Sequence, residues 1–405
     1  MARRSASMTL WDTILLVVAF CMHAGIVSRV VHSANVTCEF PAIYGFGDSL
    51  MDVGNAIAAF PNQFAYAEKN PNGVIWPMHS ADRMCDGKLL IDFFSLGSSL
   101  GPTYPWLRST ATNPQWGTNF AVAGATARNQ TDLWVPDSGF NTPFSLNLQL
   151  QWLQRYKVRL DLYYQQTYVN QSLPAYDTLN TSLYIVQAGF QDYFFPLYNM
   201  KSTSRTLLSN VPEVVYAIRD LLKGLADFGA TRVLVVNMPP LGCFPALLTL
   251  YPASIDKYNS YGCLTNLNKI SIAHNEALEQ EVVALRTTYT NTTFYLGDFY
   301  SVYTNILKTP QVYNITETLK ACCGTGGAYN FNKDVTCSEI GTVGNQAVNL
   351  TTAPCSNSKA FLSWDGIHPS NAANRAAAAA FFAGKHITPS NFNCSANTSS
   401  WDSSF

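Results

Sequence analysis

Residues 45–55 read Gly45-Phe46-Gly47-Asp48-Ser49-Leu50-Met51-Asp52-Val53-Gly54-Asn55 and directly follow the apolar, proline-bounded run Pro41-Ala42-Ile43-Tyr44. An apolar run that gives way to glycine and polar residues is typical of a buried strand followed by a loop. A serine, Ser49, therefore lies on the loop that leaves the first strand. A serine hydroxyl is a poor nucleophile near neutral pH unless an imidazole accepts its proton and a carboxylate orients that imidazole.

The C-terminal part of the chain offers both of these partners. Asp365-Gly366-Ile367-His368 places an acid three residues before a histidine. Asp and His at this spacing on one turn can form the orienting hydrogen bond without distant parts of the fold having to meet. We therefore predict Ser49 as the nucleophile, His368 as the base and Asp365 as the acid that orients His368.

Other histidines are weaker candidates for the base. His274 lies in a long helical pattern and is interpreted as a core or helix-face residue. His386 follows the last predicted helix, where its ring suits the negative end of the helix dipole. His79 lies in a Pro- and Met-containing loop that can line a substrate groove, but no acid stands beside it as Asp365 does beside His368.

A second serine competes with Ser49 for the role of nucleophile. Gly97-Ser98-Ser99-Leu100-Gly101 matches the G-x-S-x-G pattern of a nucleophile elbow, which requires a strand-to-helix turn. This stretch instead follows a helical pattern and runs into Pro102, which indicates the end of a helix. Ser99 remains the alternative nucleophile.

Gly47-Asp48-Ser49-Leu50 and Ser363-Trp364-Asp365-Gly366-Ile367-His368 resemble motifs of the plant-type GDSL, or SGNH, esterase/lipase family. Two further segments strengthen the resemblance, Gly117–Ala125 and Lys320–Asn330, and the match runs from about residue 38 to about residue 385. The resemblance implies a three-layer α/β/α sandwich with a parallel sheet. It also implies an esterase or lipase that hydrolyses carboxylic esters and needs no metal or organic cofactor.

By the same resemblance, three groups donate hydrogen bonds to the oxyanion of the tetrahedral intermediate. They are the backbone N–H groups of Ser49 and Gly124 and the side-chain amide of Gln191. The family usually shows Gly-x-Asn-Asp where this chain has Gly189-Phe190-Gln191-Asp192. Glutamine carries the same donor on a stem that is one methylene longer.

Short apolar runs alternate with longer helical patterns, as expected for a parallel sheet flanked by helices. The predicted strands are Ala42–Phe46, Phe120–Ala123, Leu183–Gln187, Val233–Asn237 and Phe294–Leu296. The predicted helices are Leu89–Leu96, Leu146–Tyr168, Val211–Phe228, Leu264–Leu285 and Asn371–Ala383. Ser49, Gly124 and Gln191 then follow three successive strands, so we expect them at the carboxyl edge of one sheet, where ligands bind in such folds.

Composition is that of an ordinary globular enzyme. The chain has 405 residues, of which 47% are hydrophobic and 13% charged, enough to bury a large core in a single domain. A formal net charge of −1 gives no electrostatic reason to expect nucleic acid or an anionic membrane as a partner. No integral membrane association is expected either.

The N-terminus has the outline of a secretory signal peptide, predicted to span residues 1–34. Arg3 and Arg4 precede an apolar run, Thr13–Met22, and small residues follow at Ser33 and Ala34. A membrane span needs ~20 apolar residues, which this run does not reach, although an uncleaved anchor stays open. The hydrolase domain is then expected over residues 35–387, and the polar segment 388–405 is expected to be disordered.

Cysteines and glycosylation signals agree with secretion, and the family resemblance points to the plant cell wall or apoplast. Nine cysteines remain after the signal peptide, without the C-x-x-C spacing of a zinc site, so disulfides are expected. An odd number leaves one thiol over, for which Cys394 is the predicted residue. Asn-x-Ser/Thr sequons occur at Asn35, Asn129, Asn170, Asn180, Asn291, Asn314, Asn349, Asn393 and Asn397.

The sequence therefore predicts a secreted esterase or lipase that acts through a Ser49 acyl-enzyme on a small-molecule, lipid or acylated-polysaccharide ester. Two alternatives remain open. One is an acyltransferase of the same chemistry, and the other is a catalytically inactive glycoprotein that binds a glycan or a lipid. Trp76, Trp106 and Trp116 either stack on sugars or fill the core.

Overall fold

The structure is a computed structural model that describes residues 38–78, 82–109, 113–129, 141–166, 173–252, 257–352, 354–392 and 394–402. The predicted signal peptide, His79 and the end of the predicted helix Leu146–Tyr168 lie outside these residues.

The described residues form a central, mostly parallel sheet and two small two-stranded sheets. The strands, in chain order, are β1 (Ile43–Gly47), β2 (Tyr104–Pro105), β3 (Thr118–Asn119), β4 (Leu183–Gln187), β5 (Arg232–Val236), β6 (Thr293–Gly297), β7 (Glu317–Ala321), β8 (Ile340–Val343), β9 (Gln346–Asn349), β10 (Phe361–Ser363) and β11 (Ile387–Thr388). The central sheet has the order β11-β6-β5-β4-β1-β3-β2, and only the β11–β6 pair is antiparallel.

Helices pack in two groups. In chain order the described helices are α1 (Asn55–Ala59), α2 (Leu90–Gly97), α3 (Leu146–Tyr164), α4 (Phe190–Met200), α5 (Ser204–Ser209), α6 (Val211–Phe228), α7 (Pro245–Leu250), α8 (Thr265–Thr288), α9 (Phe299–Lys308) and α10 (Asn371–Phe382). Helices α3, α6 and α8 contact one another in sequence, and α2, α10 and α9 form a second series. Right-handed crossovers place the two series on opposite faces of the sheet. The predicted three-layer α/β/α sandwich is confirmed.

Strand order reverses at β1. The chain leaves β1 towards β3 on one side, then returns across to β4, β5 and β6 on the other side. In open parallel sheets this reversal opens a crevice beyond the carboxyl ends of the strands. β1 and β4 end in register, with Gly47 opposite Gln187, so the segments that lead to Ser49 and to Gln191 start side by side.

The C-terminal segment was expected to be disordered, and this expectation is wrong for its described residues, 388–392 and 394–402. Cys394 is joined to Cys38 by a disulfide, and Trp401 is only 4% exposed. The Trp401 ring packs edge-on against Phe93, and its Nε1–H donates to the Phe93 carbonyl. One buried indole and one disulfide hold this polar segment against the domain, which therefore extends past residue 387.

The prediction that Cys394 is the leftover thiol is also wrong. The described disulfides are Cys38–Cys394, Cys243–Cys263, Cys322–Cys355 and Cys323–Cys337. Among the described cysteines, Cys85 carries the free thiol, and its Sγ lies 3.3 Å from Asp86 Oδ1. Complete burial raises the pKa of the Cys85 thiol well above its usual value, so this cysteine behaves as an inert core residue.

Most predicted elements agree with the structure to within three residues at each end, and two differ in an informative way. The second predicted strand, Phe120–Ala123, is wrong, because the strand there is β3, Thr118–Asn119. Helix α4 was not predicted, and neither were the described helices α1, α5, α7 and α9. Pro196 lies inside α4, and a proline is ordinarily taken as a helix end. None of the described helices is both long and apolar enough to cross a bilayer.

Candidate active site

Ser49 owes its position to the glycine that ends β1. Gly47 has φ 147°, and a Cβ there would lie 1.9 Å from the Gln187 carbonyl oxygen on the neighbouring strand. Gln149 of α3 clamps the same residue, because its Oε1 accepts from Gly47 N–H and its Nε2 donates to the Gly47 carbonyl, each at 2.9 Å. The strand can therefore turn sharply here, and it places Ser49 at the carboxyl edge with 5% of its surface exposed.

Asp52 joins the Ser49 loop to the segment that carries Gly124. Its buried carboxylate accepts backbone N–H bonds from Gly54, Asn55 and Ala56 on its own loop, and one from Ala123 at 2.8 Å. Burial raises the pKa of Asp52, and these four N–H donors oppose that shift. The carboxylate thereby fixes the peptide next to the Gly124 N–H.

Gln191 lies in the first turn of α4 and is held at both of its ends. Its backbone N–H donates weakly to Asp48 Oδ2, at 3.4 Å. Its side-chain Nε2 donates to Asn141 Oδ1, at 2.9 Å. Burial raises the pKa of Asp48 to about 7, against the opposing N–H bonds from Leu50 and Gln191.

His368 and Asp365 form the expected hydrogen-bonded pair. His368 Nδ1 lies 2.6 Å from Asp365 Oδ2. The other carboxylate oxygen, Oδ1, accepts from the backbone N–H groups of Ile367 at 2.8 Å and His368 at 2.7 Å. Because both Asp365 oxygens are engaged, the carboxylate has one orientation, and it fixes the imidazole plane.

The turn that carries this pair is anchored to the disulfide-rich segment. Trp364 is fully buried, and its backbone N–H donates to the His368 carbonyl at 2.9 Å. Its own carbonyl accepts from Cys323 N–H at 2.7 Å, next to the Cys323–Cys337 disulfide. The indole Nε1–H donates to Asn72 Oδ1 at 2.7 Å. These contacts hold the turn that carries Asp365 and His368 in place.

One cleft of about 300 Å³ brings the sequence-predicted residues together. Ser49, Gly124, Gln191 and His368 all line it, while Asp365 lies behind His368. The remaining walls are mainly aromatic and apolar. They are formed by Gln63, Phe64, Tyr66, Met84, Ala123, Phe194, Phe195, Tyr198, Asn199 and Ile367.

The alternative residues lie elsewhere in the described structure. Ser99 follows the C-terminal end of α2, is exposed, and accepts a hydrogen bond from Asn397 Nδ2 at 3.2 Å. His274 is fully buried, with its Nδ1 3.0 Å from Tyr193 Oη, and burial lowers its pKa to about 3. His386 is exposed and lies 3.1 Å from Asn305 Nδ2. None of the three lines the cleft.

Two features of the site were missed by sequence reasoning. Phe190, Phe194 and Tyr198 stack along α4 at spacings of four residues, with ring centroids 5.0 and 5.5 Å apart. This periodicity is visible in the sequence, but Pro196 obscured the helix. Asn141 carries no motif, and only its contact with Gln191 draws attention to it. Trp76 is buried, and Trp106 is partly buried with its ring against Phe120.

Comparisons with known proteins identify relatives of this chain. The family model described as GDSL-like Lipase/Acylhydrolase matches residues 43–381. The chain is 34% identical to "GDSL esterase/lipase At4g01130" of Arabidopsis thaliana over 85% of this chain and 87% of that protein. It is 31% identical to "Acetylajmalan esterase 2" of Rauvolfia serpentina, covering 84% and 89%. It is also 31% identical to "Alpha-L-fucosidase 3" of Arabidopsis thaliana, covering 84% and 89%.

Proposed function

Since the chain belongs to the GDSL-like lipase/acylhydrolase family and is a hydrolase of ester bonds, we propose that it cleaves carboxylic esters through an acyl-enzyme on Ser49. The observation that best supports the proposal is the shared cleft. Ser49, Gly124, Gln191 and His368 line it together, and Asp365 holds the far side of His368. A nucleophile, a base and candidate oxyanion donors thus surround a single space.

The proton route follows from which imidazole nitrogen is engaged. Nδ1 of His368 faces the Asp365 carboxylate, so it carries the proton and leaves Nε2 as the acceptor. Nε2 takes the Ser49 hydroxyl proton while Oγ attacks the ester carbonyl. The imidazolium then returns that proton to the departing alcohol. In the second half, water gives a proton to Nε2 and attacks the acyl carbon. The imidazolium then gives this proton to Ser49 Oγ as the acid leaves, which restores the enzyme.

The oxyanion is assigned to the backbone N–H groups of Ser49 and Gly124 and to Nε2 of Gln191. The peptide group that carries the Gly124 N–H is flanked by two peptide groups that are both fixed. Ala123 N–H donates to Asp52 on one side, and the Gly124 carbonyl accepts from Thr142 N–H at 2.9 Å on the other. Donors fixed in advance stabilise developing charge without reorganisation at the moment of reaction.

The cleft favours an uncharged substrate with an apolar or aromatic group. His368 is the only ionisable group other than Tyr66 and Tyr198 among the residues that line it within the described structure. Phe194 and Tyr198 of α4 line the cleft and form an aromatic wall. A charged acyl or alcohol group would lose its hydration there without gaining an ionic partner.

A glycosidase activity, which the fucosidase name of one relative raises, has less support. Glycosidases ordinarily use two carboxyl groups on either side of the scissile bond. The cleft-lining residues of the described structure include neither aspartate nor glutamate. The site therefore supports acyl chemistry better than glycosyl chemistry.

A fluorophosphonate probe tests the acyl-enzyme directly. We expect one covalent adduct per chain, located on the peptide that contains Ser49 by tandem mass spectrometry, because the probe reacts with a serine whose proton an imidazole accepts. Neither neighbour of Ser49 in the chain, Asp48 or Leu50, is a serine, so fragment ions can assign the label to Ser49 within its peptide. A label on Ser99, or on no serine at all, would contradict the proposal.

Product analysis separates hydrolysis from the two alternatives. A panel of 4-nitrophenyl esters and acetylated polysaccharides is offered with and without an added acceptor alcohol. Free acid as the product supports a hydrolase, whereas a new ester of the acceptor identifies an acyltransferase. A protein that binds members of the panel without turning any of them over is the glycan- or lipid-binding glycoprotein.

We further propose that the protein is secreted, with a signal peptide over residues 1–34, and glycosylated. The four disulfides fit an oxidising compartment. The sequon asparagines within the described structure are all exposed: Asn129, Asn180, Asn291, Asn314, Asn349 and Asn397.

Mass analysis of protein collected from the medium checks this. We expect an N-terminus near Asn35, a loss of mass with a glycosidase, and eight cysteines that react with an alkylating agent only after reduction. The ninth, Cys85, should react only after unfolding, since it is fully buried. An intact N-terminus, which retains Cys21, together with ten free thiols would place the protein in a reducing compartment.

A further inference from the structure

Gln191 makes a side-chain hydrogen bond that none of the recognised motifs explains. Its Nε2 donates to Oδ1 of Asn141 across 2.9 Å, and the two residues are 50 positions apart in the chain. A carboxamide nitrogen carries two hydrogens. One of them is used by Asn141, which leaves the other available for a second acceptor, and Gln191 lines the cleft.

Asn141 is itself held beside the second oxyanion donor. The next residue, Thr142, donates its backbone N–H to the Gly124 carbonyl at 2.9 Å and forms a parallel bridge with Ala125. The segment that presents Asn141 is therefore tied to the Gly124 turn. A displacement of this segment would move both Gly124 and Gln191.

The longer side chain explains why such a contact is needed. Glutamine has one more rotatable bond than the asparagine usually found at this position of the family pattern, so its amide samples more positions around the cleft. Ordering a free side chain costs conformational entropy at the moment of reaction unless another contact has ordered it beforehand. In the described structure, the Asn141 contact supplies that order.

We propose that Asn141 is a positioning residue that orients the Gln191 carboxamide toward the oxyanion. The proposal rests on the proposed function, in which Gln191 is the third donor. Asn141 acts through Gln191 alone, so its contribution should vanish when the Gln191 amide is absent. This dependence distinguishes a positioning role from a general effect on folding.

A double-mutant cycle with Asn141→Ala and Gln191→Ala tests the dependence. Gln191→Ala is expected to lower kcat by ~10² to 10³, the usual loss for one oxyanion donor. Asn141→Ala is expected to lower kcat by about tenfold with KM unchanged, as for loss of one orienting hydrogen bond. The double variant should then match Gln191→Ala, because the second change has no donor left to misplace.

Asn199→Ala is the matched control. Asn199 lines the same cleft but makes no hydrogen bond to Gln191 in the described structure. Whatever factor Asn199→Ala imposes on kcat should therefore be the same in the wild-type protein and in the Gln191→Ala variant. Inhibition by a trifluoromethyl ketone, which forms an oxyanion on the enzyme, should weaken in Asn141→Ala by the same factor as kcat/KM.

The outcomes are separable. If the losses from Asn141→Ala and Gln191→Ala multiply in the double variant, the positioning role is overturned. If Gln191→Ala keeps the wild-type kcat, the donor role and its positioning both fail while the Ser49 mechanism stands. If the wild-type protein turns over no ester and no probe labels it, the proposed function itself fails.

Discussion

Ser49→Ala is expected to lower kcat by about 10⁶-fold, and His368→Ala by a similar factor, because each change removes one half of a unit that acts together. Alanine at position 49 leaves no atom to carry the acyl group. Alanine at position 368 leaves the Ser49 proton without an acceptor, since no other histidine lines the described cleft. Steady-state hydrolysis of a 4-nitrophenyl ester measures both losses.

Ser99→Ala is the matched control for this prediction. Ser99 is exposed and hydrogen-bonded to Asn397, so loss of the Ser99 hydroxyl should leave kcat and KM at their wild-type values. Circular dichroism should show all three variants folded. Full activity in folded Ser49→Ala, with loss in Ser99→Ala, would transfer the nucleophile to the G-x-S-x-G stretch.

Asp365→Asn is expected to lower kcat by about 10⁴-fold through the tautomer of His368. Asp365 Oδ1 accepts two backbone N–H bonds, so the asparagine must keep its oxygen there and turn its NH₂ group toward His368 Nδ1. A donor now faces Nδ1, which therefore gives up its proton. The proton moves to Nε2, and the nitrogen that should accept the Ser49 proton is blocked.

The measurement is kcat on the purified variant, beside Asp298→Asn as a second amide substitution. Asp298 also accepts backbone N–H, from Ser301 at 3.0 Å, but it does not line the cleft, so this variant should keep its activity. Proton NMR should show the His368 ring proton on a different nitrogen in Asp365→Asn. Wild-type turnover in that variant would mean that Asp365 has no part in orienting the base.

Local pattern was enough where a segment's own residues decide its structure. Val211–Phe228 and Leu183–Gln187 agree with the predicted helix and strand to the residue. The carboxyl-edge position of Ser49 and Gln191 also follows from local pattern, because parallel strands must end at the same edge of the sheet. The Asp365–His368 contact follows in the same way from a spacing of three residues.

The predicted strand Phe120–Ala123 shows where local sequence pattern is not sufficient. Phe120–Ala123 is apolar and fully buried, yet its backbone bonds partly to side chains rather than to a strand on each side. Asn55 Nδ2 donates to the Asn119 and Ala121 carbonyls, and Asp52 accepts from Ala123. These contacts come from residues more than sixty positions away, and the sequence of Phe120–Ala123 itself does not indicate them.

The disorder predicted for the C-terminal segment is wrong for a similar reason, because the contacts that order the segment come from distant residues. Its composition is polar, but composition averages over the two residues that determine its structure. Trp401 is held by its contact with Phe93, and Cys394 is held by its disulfide with Cys38. Neither partner is visible from within the segment.

The Cys38–Cys394 disulfide also sets an order of events during biosynthesis. Its two cysteines are separated by 356 positions, so the ribosome completes nearly the whole domain before Cys38 has its partner. The seven other cysteines of the domain, Cys85, Cys243, Cys263, Cys322, Cys323, Cys337 and Cys355, all emerge in the interval. Any bond that Cys38 makes with them in that time is a mispairing, which thiol–disulfide exchange must undo. We therefore expect this bond to close late, after the seven other cysteines have emerged.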